Sequence, residues 1–186
     1  MKIFIDQGHN PKNPNAGAEG FGLKEQDLNY EIGIRLGTLL AGNDFFEVKL
    51  SRPTPTTQLG NSNASSLAAR VNAANLWGAD YFISLHCNAS VDASVSGSEA
   101  YVYSLQSRAV PLGEEMLNGI FEAVGLADRG VRTNPSLYVL RRTTMPAVLM
   151  EMGYITNSRD AHLLATEPDA FARGMYNGIL RFFGLS

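Results

Sequence analysis

The sequence predicts a single-domain α/β fold, a mixed and mostly parallel sheet with helices on both faces. Three observations carry that expectation. Short apolar runs alternate with segments of helical periodicity from one end of the chain to the other. The 186 residues, 45% hydrophobic and 18% charged, match one ordinary globular domain able to bury a sizeable core. No linker, internal repeat or low-complexity stretch divides them.

Lys2 to Asp6 reads as a short apolar strand, followed by a long loop rich in Gly, Asn and Pro from Gln7 to Gly22. A loop of that length inside a compact domain is more often functional than idle. From Glu25 onward Leu28, Ile32, Leu36, Leu39 and Leu40 recur at helical spacing, with Glu25 and Asp27 in the first turn, where the helix dipole favours acids. Phe46 to Leu50 is a second strand, and Arg52 to Asn63, rich in Pro, Thr and Asn, is expected to be a surface loop bordering a substrate groove. Ser65 or Ser66 can cap a helix running through Leu67, Val71, Ala74 and Leu76, with Gly78 at its end. Tyr81 to His86 follows as a buried strand, and Gly97 to Ser104 alternates like another strand. Ala109 to Val124 is helical, because Pro111 is tolerated near a first turn. Asp128 to Val131 is expected to be a loop, Leu137 to Leu140 and Ala147 to Glu151 strands, and Asp169 to Phe183 an amphipathic helix preceded by a shorter one. The order βαβαββαββα implies one mixed sheet sandwiched by helices.

A net charge of −3 offers no bulk attraction to nucleic acid or to an anionic membrane. The single cysteine, Cys87, excludes an intrachain disulfide. Met1 to Asp6 runs directly into a strand, so no signal peptide is expected there. The apolar runs are too short for a transmembrane helix, and a soluble protein is the expectation.

Chemistry concentrates at strand ends. His9 follows the first strand, His86 closes another in Ser84-Leu85-His86-Cys87-Asn88, and Glu151 ends the apolar run Ala147-Val148-Leu149-Met150. Side chains at the carboxyl ends of strands in an open α/β sheet converge on one crevice. Glu25 lies three residues before Leu28 and seven before Ile32, so it extends the buried stripe of the first helix and faces the sheet. An inward acid costs several kcal/mol of desolvation unless something positive meets it. Two imidazoles and a carboxylate make a zinc site with an open position, near which a further carboxylate acts as general base towards water. Glu151 fits that role. The alternative for Glu25 is an acid favoured by the helix dipole and still wetted, and for Glu151 a helix-capping acid or a salt bridge to Arg141 or Arg142. Glu19 and Glu31 compete as ligands but are expected to be solvated. His162, in a polar helix-like stretch, reads as a surface residue. Cys87, adjacent to His86 on an extended strand, points to the opposite face as a buried thiol. Arg70, Arg129, Arg141 and Arg142 are expected in structural ion pairs, although one of them could read a carboxylate of a substrate.

These residues carry a resemblance. From its first strand to its last helix the chain resembles the zinc-dependent N-acetylmuramoyl-L-alanine amidases of the amidase-3 type. The matching segments are Asp6-Gln7-Gly8-His9, Gly22 to Asn29, Ser84 to Ala89, and Met145 to Asn157, in the family's order and spacing, with Arg129-Gly130-Val131 and Tyr138 to Arg141 as further likenesses. The resemblance implies Zn2+ bound by His9, Glu25 and His86, Glu151 as catalytic acid/base, and hydrolysis of the amide between the lactyl group of N-acetylmuramic acid and L-alanine. Peptidoglycan is then the partner, the bacterial cell wall the place of action, and a monomer the expected state. Residues 1–186 would form one bare catalytic domain, of bacterial or phage origin. Gln7 and Asn10 depart from the family, where Pro and a second Gly are common, which puts the local substrate contact in question; Asn10 can still take a positive φ. A zinc peptidase cutting within the stem peptide would share the metal chemistry. A non-catalytic wall-binding module would be expected to lack a ligand or Glu151, and neither is missing.

Overall fold

A computed structural model describes residues 1–185. In chain order its elements are β1 (Lys2–Gln7), β2 (Glu19–Gly20), β3 (Leu23–Lys24), α1 (Glu25–Ala41), β4 (Glu47–Leu50), α2 (Asn63–Trp77), β5 (Tyr81–Asn88), β6 (Ser98–Val102), α3 (Ala109–Val124), β7 (Asp128–Thr133), α4 (Tyr138–Arg142), β8 (Ala147–Tyr154), α5 (Ser158–Thr166) and α6 (Pro168–Phe183). Six strands form one sheet in the order β4-β1-β5-β8-β6-β7, while β2 and β3 make a small separate hairpin. Every neighbouring pair in the large sheet is parallel except β8 and β6. The expected mixed, mostly parallel sheet is therefore present.

Period-2 alternation splits the strands between two cores. Ile3, Ile5, Ile83, Leu85, Val148 and Met150 point to the face covered by α1, α3 and α6. Phe4, Phe82, Ala147 and Leu149 point the other way, under α2 and α4. Phe4 and Phe82 stack there with ring centroids 5.6 Å apart. From β1 the chain leaves by α1 to β4 on one side and returns by α2 to β5 on the other, so the order reverses between β1 and β5. A crevice opens at such a reversal, beyond the carboxyl ends of the strands.

Reversing β6 has a second effect. In register, His86 of β5 faces Glu151 of β8, and Glu151 faces Glu99 of β6. The start of β6 thus joins the ends of β5 and β8 at one rim. Met1 and the end of α6 lie at the other rim. The Met1 amino group donates to the Phe45 carbonyl at 2.7 Å, and Phe182 and Phe183 pack edge-on against Tyr81, the first residue of β5. No helix among the described residues is long and apolar enough to cross a membrane.

Several boundaries differ from expectation. The strand expected at Leu137–Leu140 is the helical turn α4, whose Val139 and Leu140 are buried, and the loop expected at Asp128–Val131 is the edge strand β7. A four-residue apolar run does not distinguish strand from helix, and a charged edge strand lacks the apolar pattern. Helix α2 starts earlier, capped by Ser62, with Ser65 returning the bond in a capping box; Gly78 ends it at φ 68° as expected. Leu76 is exposed rather than on the buried stripe, and Arg52 is fully buried instead of lying on the surface.

Helices α3 and α6 cross at glycine. A Cβ on Gly119 would lie 2.0 Å from the Gly174 carbonyl oxygen, and one on Gly174 2.4 Å from that of Gly119. Close-packed interiors cannot absorb such an overlap without moving a helix. Gly174→Ala is expected to destabilise the fold by about 1–3 kcal/mol, read as a lower midpoint in urea unfolding.

Candidate metal centre and active site

One guanidinium organises the first ligand loop. Arg70 of α2 is 1% exposed; its Nη1 donates to Asp6 Oδ1 at 2.6 Å and to the Gln7 carbonyl at 2.6 Å, and its Nη2 donates to the His9 carbonyl and to Asn10 Oδ1. Ser84 Oγ donates to the other Asp6 oxygen at 2.8 Å. Burial raises the Asp6 pKa, but the charge and hydrogen bond of Arg70 outweigh it and hold the carboxyl below its ordinary value. This clamp holds His9 at φ 66°, a left-handed conformation costing a residue of its kind about 1–3 kcal/mol. The positive φ falls on His9 and not on Asn10, which is buried and whose amide bonds Pro14 and Leu59 instead. Gly8 gives way to the second histidine: a Cβ there would lie 2.4 Å from His86 Cε1. Gln7 uses its backbone N–H and side-chain amide to bond Ser51 and Arg52.

Glu25 opens α1 and is 4% exposed. Its Oε1 lies 2.9 Å from His86 Nδ1 and 3.1 Å from His9 Nε2, and it also accepts the Cys87 N–H at 3.1 Å. Its Oε2 accepts the Ala18 N–H at 2.9 Å. A Cβ on Gly17 would fall 2.6 Å from that Oε2, so the glycine-rich loop packs directly on the acid. Burial pushes the Glu25 pKa up, yet the hydrogen bonds and charges of His86 and His9 outweigh it and keep the carboxyl well below the usual range. The ligand atoms of His9, Glu25 and His86 all lie within 4.8 Å of one another, an arrangement able to hold a divalent cation.

Glu151 stands beside this triad on β8. It is partly exposed at the mouth, but its Oε2 is shielded from solvent and has no hydrogen-bond partner among the described residues. Burial, then the charges of Glu25 and Glu99, push its pKa up to about 8. It pairs with neither Arg141 nor Arg142, since no ion pair of either arginine occurs among the described residues. A narrow cleft of about 110 Å³ adjoins His9 and His86, walled by Leu67, Leu137, Tyr138 and Leu149.

His9, Glu25, His86 and Glu151 thus meet at the rim expected of them. Glu19 and Glu31 are exposed, Glu31 pairing with Arg35, and His162 is exposed on α5. The Cys87 thiol is buried on the opposite face from His86, near Asn29, and burial pushes its pKa well up. Glu99 went unread in the sequence. Only 3% exposed, it accepts from Asn88 at 2.7 Å, Tyr101 at 2.9 Å and Tyr154 at 3.3 Å, with Arg129 Nε at 3.4 Å. The available signal was an acid near the start of an alternating strand, on the same face as Tyr101.

The family model described as N-acetylmuramoyl-L-alanine amidase matches residues 3–181. The amidase CwlM of Bacillus licheniformis is 38% identical over 191 residues, covering all of this chain and 70% of that protein. The sporulation-specific N-acetylmuramoyl-L-alanine amidase of Bacillus subtilis is 37% identical, covering 100% and 69%. The catalytic domain of CwlV, an N-acetylmuramoyl-L-alanine amidase from Bacillus (Paenibacillus) polymyxa, superposes with a TM-score of 0.86 at 31% identity, over 100% of this chain and 99% of that one.

Two stability measurements test the electrostatics. Because the Asp6 pKa is depressed on folding, its stabilisation is present above about pH 4 and is lost as pH falls through the depressed value. Asp6→Asn is expected to lose about 3–5 kcal/mol at pH 7, its stability converging on that of the unaltered chain in strong acid. Glu151 has the opposite sign. Its raised pKa costs stability progressively from its unfolded value up to about pH 8, so metal-free Glu151→Gln is expected to exceed the metal-free parent in thermal midpoint at pH 8 and to match it near pH 4.

Proposed function

The chain belongs to the N-acetylmuramoyl-L-alanine amidase family, and on that premise we propose that it is a zinc-dependent amidase cutting the bond between the lactyl group of N-acetylmuramic acid and L-alanine in peptidoglycan. On this reading residues 1–186 act as one catalytic domain at the bacterial cell wall, as a monomer. The observation that carries it is the convergence of His9, Glu25 and His86, whose ligand atoms lie within 4.8 Å of one another, with the unpartnered Oε2 of Glu151 on the adjoining strand.

The donor set fits zinc. Two imidazole nitrogens and one carboxylate oxygen are typical of a three-ligand site that leaves a position for water or substrate. One oxygen turned toward two ring nitrogens has its negative charge where a cation would gain most. When bound, Zn2+ supplies Lewis acidity, drawing electron density from the scissile carbonyl and acidifying the attacking water. The protein supplies the rest. Arg70 holds the backbone that carries His9, Gly8 leaves room for the His86 ring, and the Ala18 and Cys87 N–H groups orient Glu25. Glu151 takes the proton of the water and hands it to the departing alanine nitrogen, so both steps use one carboxylate and no covalent intermediate forms. Burial and the neighbouring carboxylates raise the proton affinity of Glu151, which strengthens it as a base towards water once ionised and as a donor to the leaving nitrogen once protonated. The positive charge of the cation acts on it in the opposite sense.

Glu151→Gln is expected to fold, to retain zinc by elemental analysis and to lose about 10²–10⁴-fold in turnover. A near-parental rate would remove Glu151 from the mechanism. His86→Ala should lose the metal, and full occupancy in that variant would count against it as a ligand. Mass spectrometry of digested peptidoglycan should find stem peptides with a free L-alanine amino terminus, abolished by a chelator. Cuts within the stem would make the protein a peptidase.

A further inference from the structure

Beyond Glu151, away from the metal centre, the sheet continues to β6 and β7, where Glu99 lies between two arginines. Arg129 Nε is 3.4 Å and Arg132 Nε 3.7 Å from the same oxygen, Glu99 Oε2. Among the described residues neither arginine pairs with any other carboxylate. Two guanidiniums on one carboxylate leave a unit of positive charge unmatched. The side chains are 34% and 52% exposed, so the surplus faces solvent at the rim of the site.

The pair is also held in place. Arg129 lies 5.6 Å over the ring of Tyr154, its Nη1 donates to the Ser96 carbonyl at 3.2 Å, and its stem passes over Gly97, where a Cβ would come within 3.1 Å of Arg129 Cδ. Arg132 is in register with Tyr101, on the strand face that carries Glu99 and Glu151. Each guanidinium meets Glu99 through Nε. The ηNH2 groups of Arg132 and Nη2 of Arg129 make no hydrogen bond among the described residues, and a planar fork of such donors matches a carboxylate.

We infer that Arg129 and Arg132, anchored on Glu99, bind a free carboxylate of the leaving peptide and make the enzyme selective for substrates that carry one. The inference rests on the amidase reading. Its direction follows from strand order: the two histidine ligands lie at the ends of β1 and β5, the proton donor to the leaving amine on β8, and the arginines two strands further along the same line. The peptide that departs from Glu151 extends towards them.

The test uses the zinc-loaded protein and two muramyl-peptides that differ only in the residue after L-alanine, one with a free α-carboxylate and one with that group amidated. The unaltered enzyme is expected to favour the acid in kcat/KM by about tenfold or more. Arg132→Gln, the more exposed change, should raise KM for the acid, leave kcat and zinc content within about twofold, and barely affect the amide. The double variant Arg129→Gln/Arg132→Gln should bring the two substrates level. Equal losses on both substrates would make the arginines merely structural, and equal rates on both substrates with the unaltered enzyme would also overturn the inference while leaving the amidase reading intact. If the unaltered enzyme releases L-alanyl peptide from neither substrate, the amidase reading itself fails.

Discussion

A buried arginine with a single carboxylate partner underlies the metal-binding rim. Arg70 reaches through the α2 face to Asp6 on β1 and at the same time caps the carbonyls of Gln7 and His9. A buried guanidinium is tolerable only where charge and donors are both met, and the bend after β1 supplies the acceptors. The dependence runs both ways. The loop needs the arginine to hold a histidine in a conformation that glycine would adopt more easily, and the arginine needs the loop's carbonyls to remain buried. Ser84 completes the arrangement from β5, so the strand bearing His86 is tied through Asp6 to the loop bearing His9.

Three carboxylates share this rim under different conditions. Glu25 is held ionised by two imidazoles, Glu99 is surrounded by hydroxyl, amide and guanidinium donors, and Glu151 has a shielded oxygen with no donor at all. The chemistry of each follows from its neighbours, since the carboxyl group is the same. Placing the donor-poor acid beside two other carboxylates raises its affinity for a proton.

Much of this was legible in sequence because period and position suffice for it. The helical stripe of α1 turned Glu25 inward, and strand alternation sent Cys87 away from His86. The loop expected at Asp128 to Val131 is a strand and the strand expected at Leu137 to Leu140 is helical, because edge strands are recognised by pairing, which sequence pattern does not display, and a short apolar run is compatible with either state. The contacts of Arg70 and Glu99 span 64 and 30 residues of sequence to Asp6 and Arg129, and no local periodicity encodes such a separation. Asn10 was read through the glycine it replaces, whereas the structure uses its amide as a brace across to Leu59.

Met1 and the end of α6 leave the sheet at the rim opposite the metal ligands, packed around Phe45 and Tyr81. A polypeptide joined ahead of Met1 would emerge behind the domain, with the length of the strands between it and the cleft. Such an attachment could hold the domain against a polymer surface while leaving its mouth facing outward, so tethering and access to substrate are geometrically independent.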